Sequence, residues 1–175
     1  RGAGNVAMAS ARCAIRLGAD VTMLYRRTQN ECPARAEEIQ HALEEGLVLM
    51  ELVNPVRIVG EDGWVKGVEV IRTELGEPDE SGRCRPNPIA GSNFTMDFDT
   101  VIEAIGTQPN RLFLERAEGL EVNRWGGVMV DEGLQTSIEG VYAGGDAISG
   151  GATVIQALGE GRMAARSIHN YLISK

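Results

Sequence analysis

Two stretches of this chain carry residues whose types and spacing could do chemistry. The first is Gly2-Ala3-Gly4-Asn5-Val6-Ala7, a G-x-G-x-x-A run followed by an apolar segment, Val6 to Leu17, and later by Arg26-Arg27. Gly2 would allow a tight turn, Gly4 would let backbone approach a pyrophosphate, and Ala7 would permit close helix–strand packing. A helix beginning there presents free N–H groups and the positive end of its dipole to phosphate oxygens. The end of the next strand-like run reads Tyr25-Arg26-Arg27, without the carboxylate that would hold a ribose 2′-hydroxyl. Guanidinium groups there suit a 2′-phosphate, because they donate paired, charge-assisted hydrogen bonds. These residues point to NADP rather than NAD. The same residues also suit a glycine loop before an ordinary helix, with Arg26 and Arg27 in a solvated turn.

The second stretch is Ala143-Gly144-Gly145-Asp146, followed by Gly151-Ala152-Thr153-Val154 opening a helical segment. A carboxylate after glycines can accept a ribityl or ribose hydroxyl. A helix N-terminus just beyond it can meet anionic oxygen on a flavin ring. A capped helix after a glycine loop, with Asp146 solvated, is the plainer alternative.

The elements that must position these groups can be read from periodicity. Gly18 ends the first helix, and Val21 to Tyr25 reads as a strand. A second helix follows Glu31, with Pro33 in its first turn and Ile39, Ala42 and Leu43 at helical spacing up to Gly46. Arg35 and His41 read as surface residues of that helix, although Arg35 could also join a phosphate pocket. Leu47 to Leu52 reads as a buried strand. Val56–Val59 and Val65–Thr73 form an antiparallel hairpin around Gly60-Glu61-Asp62-Gly63, with Trp64 as a packing aromatic. Glu74 to Asn93 reads as a loop or irregular hairpin extension. Phe94–Phe98 rejoins the sheet, and Asp99 to Gly106 reads as a strand ending before Thr107-Gln108-Pro109-Asn110. Beyond it come a short helix over Leu112–Leu120, a turn at Asn123–Gly127, a strand at Val128–Val130, and a helix over Ala152–Leu172. In that last helix Val154, Leu158, Ala165, Ile168 and Leu172 share a face, and His169 reads as a surface residue.

Composition narrows the function classes. The apolar fraction of 43% in 175 residues suits a globular core. A net charge of −8 argues against general nucleic-acid or anionic-membrane binding. Cys13, Cys32 and Cys84 are isolated and form no C-x-x-C, so the chain carries no redox dithiol and no usual iron–sulfur or zinc ligand set. They read as buried or incidental thiols. The sequence shows no signal peptide or long apolar span, and it fits the cytoplasm.

G-A-G-N-V-A-M, Y-R-R, P-A-R-A-E-E, A-I-G-T-Q-P-N, N-R-W-G, Y-A-G-G-D and G-A-T-V-I-Q-A-L-G-E-G-R-M-A-A occur in this order across nearly the whole chain. In these motifs the sequence resembles the small (beta) subunit of NADPH-dependent glutamate synthase and its relatives. Those include the electron-input module of dihydropyrimidine dehydrogenase and NADPH–ferredoxin-type flavoprotein subunits. The resemblance implies an α/β, Rossmann-like nucleotide-binding domain with a parallel sheet and an antiparallel meander, followed by part of a FAD-binding domain. This is the flavoprotein type with two dinucleotide-binding domains. The division implied is residues 1–105 for NADPH, with the first strand missing, and 106–175 for the C-terminal part of the FAD domain. Gly2, Gly4, Asn5, Val6 and Ala7 would line the NADPH pyrophosphate, and Arg26 and Arg27 would hold the 2′-phosphate. Gly106 would lie toward the nicotinamide. Gly145 and Asp146 would meet the ribityl–phosphate region of FAD, and Ala152, Thr153 and Val154 the isoalloxazine. No side chain is named as catalytic or as a metal ligand.

The chain departs from that pattern in three ways. The family's iron–sulfur cysteines and first FAD glycine motif are absent, only Arg1 precedes Gly2, and Ala9 stands where an acidic residue is usual. The chain therefore reads as the C-terminal portion of an electron-transfer subunit, with iron–sulfur clusters in a missing N-terminal part. Its partner would be a large glutamate synthase subunit or another acceptor, and an unpaired sheet edge would favour a homodimer of the fragment. A disulfide reductase of the same fold would need a C-x-x-C. A non-enzymatic nucleotide-binding or assembly module is the remaining reading.

Overall fold

The computed structural model describes residues 2–78, 82–107, 110, 114 and 116–175. The chain divides into two compact units, residues 1–105 and 106–175.

In the first unit, helix α1 (Asn5–Arg16) begins at Gly4 and turns Ala7, Met8 and Ala11 inward. Met8 is wholly buried. That spacing is one helical face. Full burial of a side chain of this size is worth roughly 1.5–3 kcal/mol. Gly18, at φ +93°, lets the chain leave the helix. Strand β1 (Thr22–Leu24) pairs in parallel with β2 (Val48–Met50), in register Thr22 with Val48 and Leu24 with Met50. Between them run a 3-10 turn (Gln29–Glu31) and helix α2 (Ala36–Glu44). This is a βαβ crossover. Pro33 lies ahead of the α2 cap at Arg35, not in the first turn, because Thr28 and Glu31 close a capping box on the 3-10 turn first. His41 is exposed.

Helices α1 and α2 are clamped by charge. Arg12 reaches Glu38 at 3.0 Å and Glu45 at 2.8 Å, and Arg16 reaches Glu45 at 2.6 Å. Hydrogen bonds from Arg16 and then Arg12 hold the Glu45 carboxyl down at about 2.

Strand β2 is shorter and more open than the expected buried run of Leu47–Leu52. Val48 is 58% exposed, and the ladder stops where Leu52 turns to φ +54°. The chain then enters a four-stranded antiparallel sheet. β3 (Val53–Glu61) and β4 (Trp64–Pro78) form the expected hairpin across Asp62 and Gly63, both at positive φ. Trp64 is 76% exposed and belongs to neither buried core cluster, because it sits beside the turn at the far end of the hairpin. β4 is long enough to serve two partners besides β3. Its first half pairs with β6 (Phe94–Asp97), as expected, and its second half with β5 (Cys84–Pro88). The stretch read as a loop or hairpin extension is therefore a hairpin. Pro86 and Pro88 lie in β5, a strand paired on one side only, where a missing N–H costs no ladder bond, and Pro78 ends β4. Gly67 allows the β4–β6 contact, since a Cβ there would lie 2.4 Å from the Met96 carbonyl oxygen. Leu24, Val53, Val68 and Val70 form the core between β1 and this sheet.

Asp99–Gly106 corrects another expectation. It joins no ladder among the described residues, and Ile102 and Ile105 are more than half exposed. Strands need a hydrogen-bonded neighbour, and among the described residues β1 pairs only with β2. Between β1, α1 and this stretch lies a groove of about 740 Å3, lined by Ala11, Ala14, Met23, Val68 and Val101 among others.

The second unit has little regular sheet. Val128–Val130, expected as a strand, makes only single bridges, Val122 with Val128 and Val130 with Thr136. The reason is local: the Asn123 side chain accepts from the N–H groups of Trp125 and Gly127 and turns the chain back at once. Helix α3 (Asp146–Ser149) is a single short turn, and α4 (Val154–Ile173) follows. The apolar positions of α4, including Val154, Leu158 and Leu172, are exposed rather than packed. His169 is exposed as expected. Gln108 and Pro109, and residues 112, 113 and 115 of the expected Leu112–Leu120 helix, lie outside the described residues; of the rest, Leu114 and Arg116 are helical, and Glu118 and Gly119 form a turn.

Candidate nucleotide-binding sites

Gly2 and Gly4 do different work. Gly2 has φ +136°, and a Cβ on it would lie 2.1 Å from the Ala104 carbonyl oxygen. Its role is close approach to the Thr100–Ala104 stretch. Gly4 is the α1 cap, in extended conformation, and a Cβ on it would meet nothing within 4 Å. No side chain caps this helix. The first-turn N–H groups therefore have no intrahelical partner, and open space lies at the glycine before them. Val6 is exposed, while Ala7 is buried in the core. The Asn5 carboxamide oxygen accepts from the Arg35 N–H at 2.9 Å, and the Ala3 carbonyl accepts from Ala34 N–H. These bonds bring the start of α2 beside the start of α1. The Arg35 side chain is exposed and pairs with Glu38 at 3.2 Å.

The two arginines after β1 are not equivalent. Arg26 is exposed, and its carbonyl accepts from Thr73 Oγ1 at 2.8 Å. Arg27 is only 6% exposed, and its Nε donates to the Cys84 carbonyl at 2.7 Å. Arg27 ties the β4–β5 hairpin to the end of β1, so the side chain expected on a phosphate is largely committed to the fold. Tyr25 is buried, donates to the Glu31 carbonyl at 2.7 Å, and has its phenol pushed up by that burial.

Tertiary structure also places carboxylates near this corner. Glu31 accepts from the Thr28 N–H and hydroxyl, which hold it below its usual range. Glu51 accepts from the Gln29 N–H. Burial, followed by Glu51 and Glu31, pushes the Cys32 thiol up to about 11. Cys13, expected to be buried or incidental, is exposed. Among the described residues no group of acidic, histidine or cysteine side chains is placed to hold a metal.

Gly106 has φ +87° and open space around it. In the second unit, Gly145, Asp146, Ala152, Thr153 and Val154 line one cavity of about 460 Å3. Asp146 Oδ1 accepts from the Ala152 N–H at 3.2 Å, folding the loop back over the α4 N-terminus. Thr153 caps α4 by accepting from the Gln156 N–H. Two partners of this site went unread in the sequence. Ala157 would lie 3.2 Å from a Cβ on Gly145, and the Glu160 carboxylate accepts from the Gly145 N–H. Their signal was available: positions 153, 157 and 160 follow one helical face. The larger groove in the first unit is bordered by Gly2 and Ala7, but not by Gly4, Asn5 or Arg26.

A parallel βαβ crossover behind an uncapped glycine loop, an antiparallel meander, and a separate unit with its own glycine–aspartate cavity define the class. The fold is that of the two-dinucleotide-domain flavoprotein oxidoreductases. The chain belongs to the pyridine nucleotide-disulphide oxidoreductase family, which it matches over residues 1–161. The family name covers more chemistry than this chain carries, since the sequence has no C-x-x-C.

The chain is 46% identical over 173 residues to the NADP(+)-dependent formate dehydrogenase subunit beta of Moorella thermoacetica, covering 98% of this chain and 24% of that protein. It is 40% identical over 176 residues to the glutamate synthase [NADPH] small chain of Halomonas elongata, covering 98% and 37%. Thioredoxin reductase from T. acidophilum superposes with a TM-score of 0.78 at 25% identity, covering 98% of this chain and 51% of that one. The chain thus spans between about a quarter and somewhat over a third of the two curated relatives.

Proposed function

We propose that this chain is the NADPH-binding module, with part of the FAD-binding domain, of an electron-transfer flavoprotein oxidoreductase. The observation that carries this reading is the uncapped start of α1 with open space at Gly4. Arg26 stands exposed at the end of the adjoining strand. Unpaired N–H groups at a helix N-terminus suit a pyrophosphate, and an exposed guanidinium suits a 2′-phosphate. Gly2 and Ala7 hold the loop and helix in place, Asn5 sets the neighbouring helix, and Val6 offers its backbone. Gly106, the first residue of the second unit, keeps the nicotinamide-side role that the resemblance implies for it.

The cavity in the second unit fits a flavin nucleotide in part. Gly145 and Asp146 would hold its ribityl and phosphate groups, and Ala152, Thr153 and Val154 would meet its ring. When bound, FAD supplies the capacity to take a hydride from NADPH and release electrons one at a time. The protein's share is binding and orientation, so no side chain need act as an acid or base. On this reading the final acceptor is an iron–sulfur centre or a partner subunit; two of the relatives are named as parts of larger assemblies, a subunit beta and a small chain. The reading places the protein in the cytoplasm, where NADPH is spent. Among the described residues no helix is long and apolar enough to cross a membrane. The unpaired edge of β1 favours self-association of the isolated chain, which light scattering would detect.

Titration with NADPH and NADH tests the proposal. Binding of NADPH at least tenfold tighter than NADH is expected, and tighter NADH binding would defeat the 2′-phosphate reading.

A further inference from the structure

The burial of Arg27 leaves the 2′-phosphate site with less than the sequence promised, and the hairpin that buries it brings a replacement. We infer that Arg83, presented by the β4–β5 hairpin beside the end of β1, joins Arg26 as a specificity-determining cation for the 2′-phosphate of NADPH. The inference rests on the NADPH reading above and deepens it.

Three observations place Arg83 there. Arg27 Nε donates to the carbonyl of Cys84, the residue next to Arg83, at 2.7 Å. β4, the hairpin's other strand, is bonded to the same corner twice. Thr73 Oγ1 donates to the Arg26 carbonyl at 2.8 Å, and Thr73 N–H donates to the Leu52 carbonyl at 2.8 Å. Pro78 stands opposite Cys84 in the β4–β5 pairing, after a register shift that follows Leu75, so Cys84 is still paired at this end of the hairpin. Arg83 itself is exposed. It is also close enough to Tyr25 for its charge to favour the phenolate, against the burial that disfavours it.

The division of labour follows from chemistry. A largely buried guanidinium with its Nε on a carbonyl is a strut. Arg27 therefore acts as a positioning residue that docks the hairpin. Arg26 and Arg83 each adjoin, along the chain, one end of the Arg27–Cys84 bond, and both are exposed. A phosphate dianion takes hydrogen bonds from more than one guanidinium, and each is charge-assisted. The inserted hairpin thus reads as part of the coenzyme-selecting surface, although it lies far along the chain from the glycine loop.

The test is equilibrium binding of four probes to the whole chain: NADPH, NADH, 2′,5′-ADP and 5′-ADP. Arg83→Ala should weaken NADPH and 2′,5′-ADP by about fivefold to thirtyfold and leave NADH and 5′-ADP within about twofold. Arg83→Lys should recover part of the loss, and higher salt should shrink the difference. Circular dichroism and Tm of each variant keep folding separate from binding. Equal weakening of all four probes would make the hairpin a structural support only and overturn the inference. Unchanged NADPH binding in Arg83→Ala, with a loss in Arg26→Ala, would also overturn it but leave the NADPH reading standing. A preference for NADH in the unmodified chain would sink both.

Discussion

Gly4→Ser should stabilise the chain slightly and weaken coenzyme binding, two effects of opposite sign from one substitution. Gly4 has φ −85° and ψ 176°, a conformation any residue adopts, and a Cβ there would meet no atom within 4 Å. Serine is at least as good a helix cap as glycine, so stability should rise by a few tenths of a kcal/mol. The same hydroxyl would accept from a first-turn N–H and so remove a donor that a pyrophosphate would use. It would also fill the open space through which backbone and phosphate approach. A tenfold or greater loss of NADPH affinity is expected, about 1.4 kcal/mol. Gly2→Ala is the control. With φ +136° and a Cβ 2.1 Å from the Ala104 carbonyl oxygen, it combines backbone strain with overpacking, together about 2–4 kcal/mol. For a unit of this size that lowers Tm by roughly 10 °C or more. Thermal melts and NADPH titration of the two variants read both quantities. NADPH binding to Gly4→Ser within twofold of the parent would show that Gly4 faces no phosphate. A cooperative Gly2→Ala protein with unchanged Tm would refute the packing argument.

Other outcomes follow from particular contacts. Glu45 is held at about 2 by Arg16 and Arg12, below its ordinary carboxylate value. Its contribution is therefore present above about pH 4.5 and lost as pH falls toward 2. The Tm deficit of Glu45→Gln should be largest near neutrality and vanish by about pH 2; a deficit independent of pH would refute the clamp. Thr153→Ala removes the α4 cap and should cost about 1 kcal/mol of helix stability, with Thr153→Ser restoring it; unchanged helicity and melting by circular dichroism would count against that role. Iodoacetamide near pH 8 should label exposed Cys13 well before Cys32, whose thiol is pushed up to about 11; mass spectrometry showing equal rates would contradict that burial.

Local sequence was enough for the features that depend on near neighbours. The G-x-G-x-x-A loop, the stop at Gly18, the βαβ crossover and the Asp62-Gly63 hairpin turn are set by backbone freedom and short-range periodicity. Residues 143–154 could likewise be read as one glycine–aspartate–helix constellation, because they lie close along the chain. What the sequence could not show was which partner each side chain would meet across long separations. Arg26 and Arg27 are adjacent and chemically identical, yet one faces solvent and the other is sealed under a carbonyl 57 positions away. Gly2 and Gly4 look alike in the motif, but only Gly2 is pressed against Ala104. Asp99–Gly106 has the composition of a strand and no ladder neighbour among the described residues. Residue type determines what a group can do. Which hydrogen bonds and contacts it makes is decided only when distant segments pack, because a buried donor must take whatever acceptor the fold brings to it.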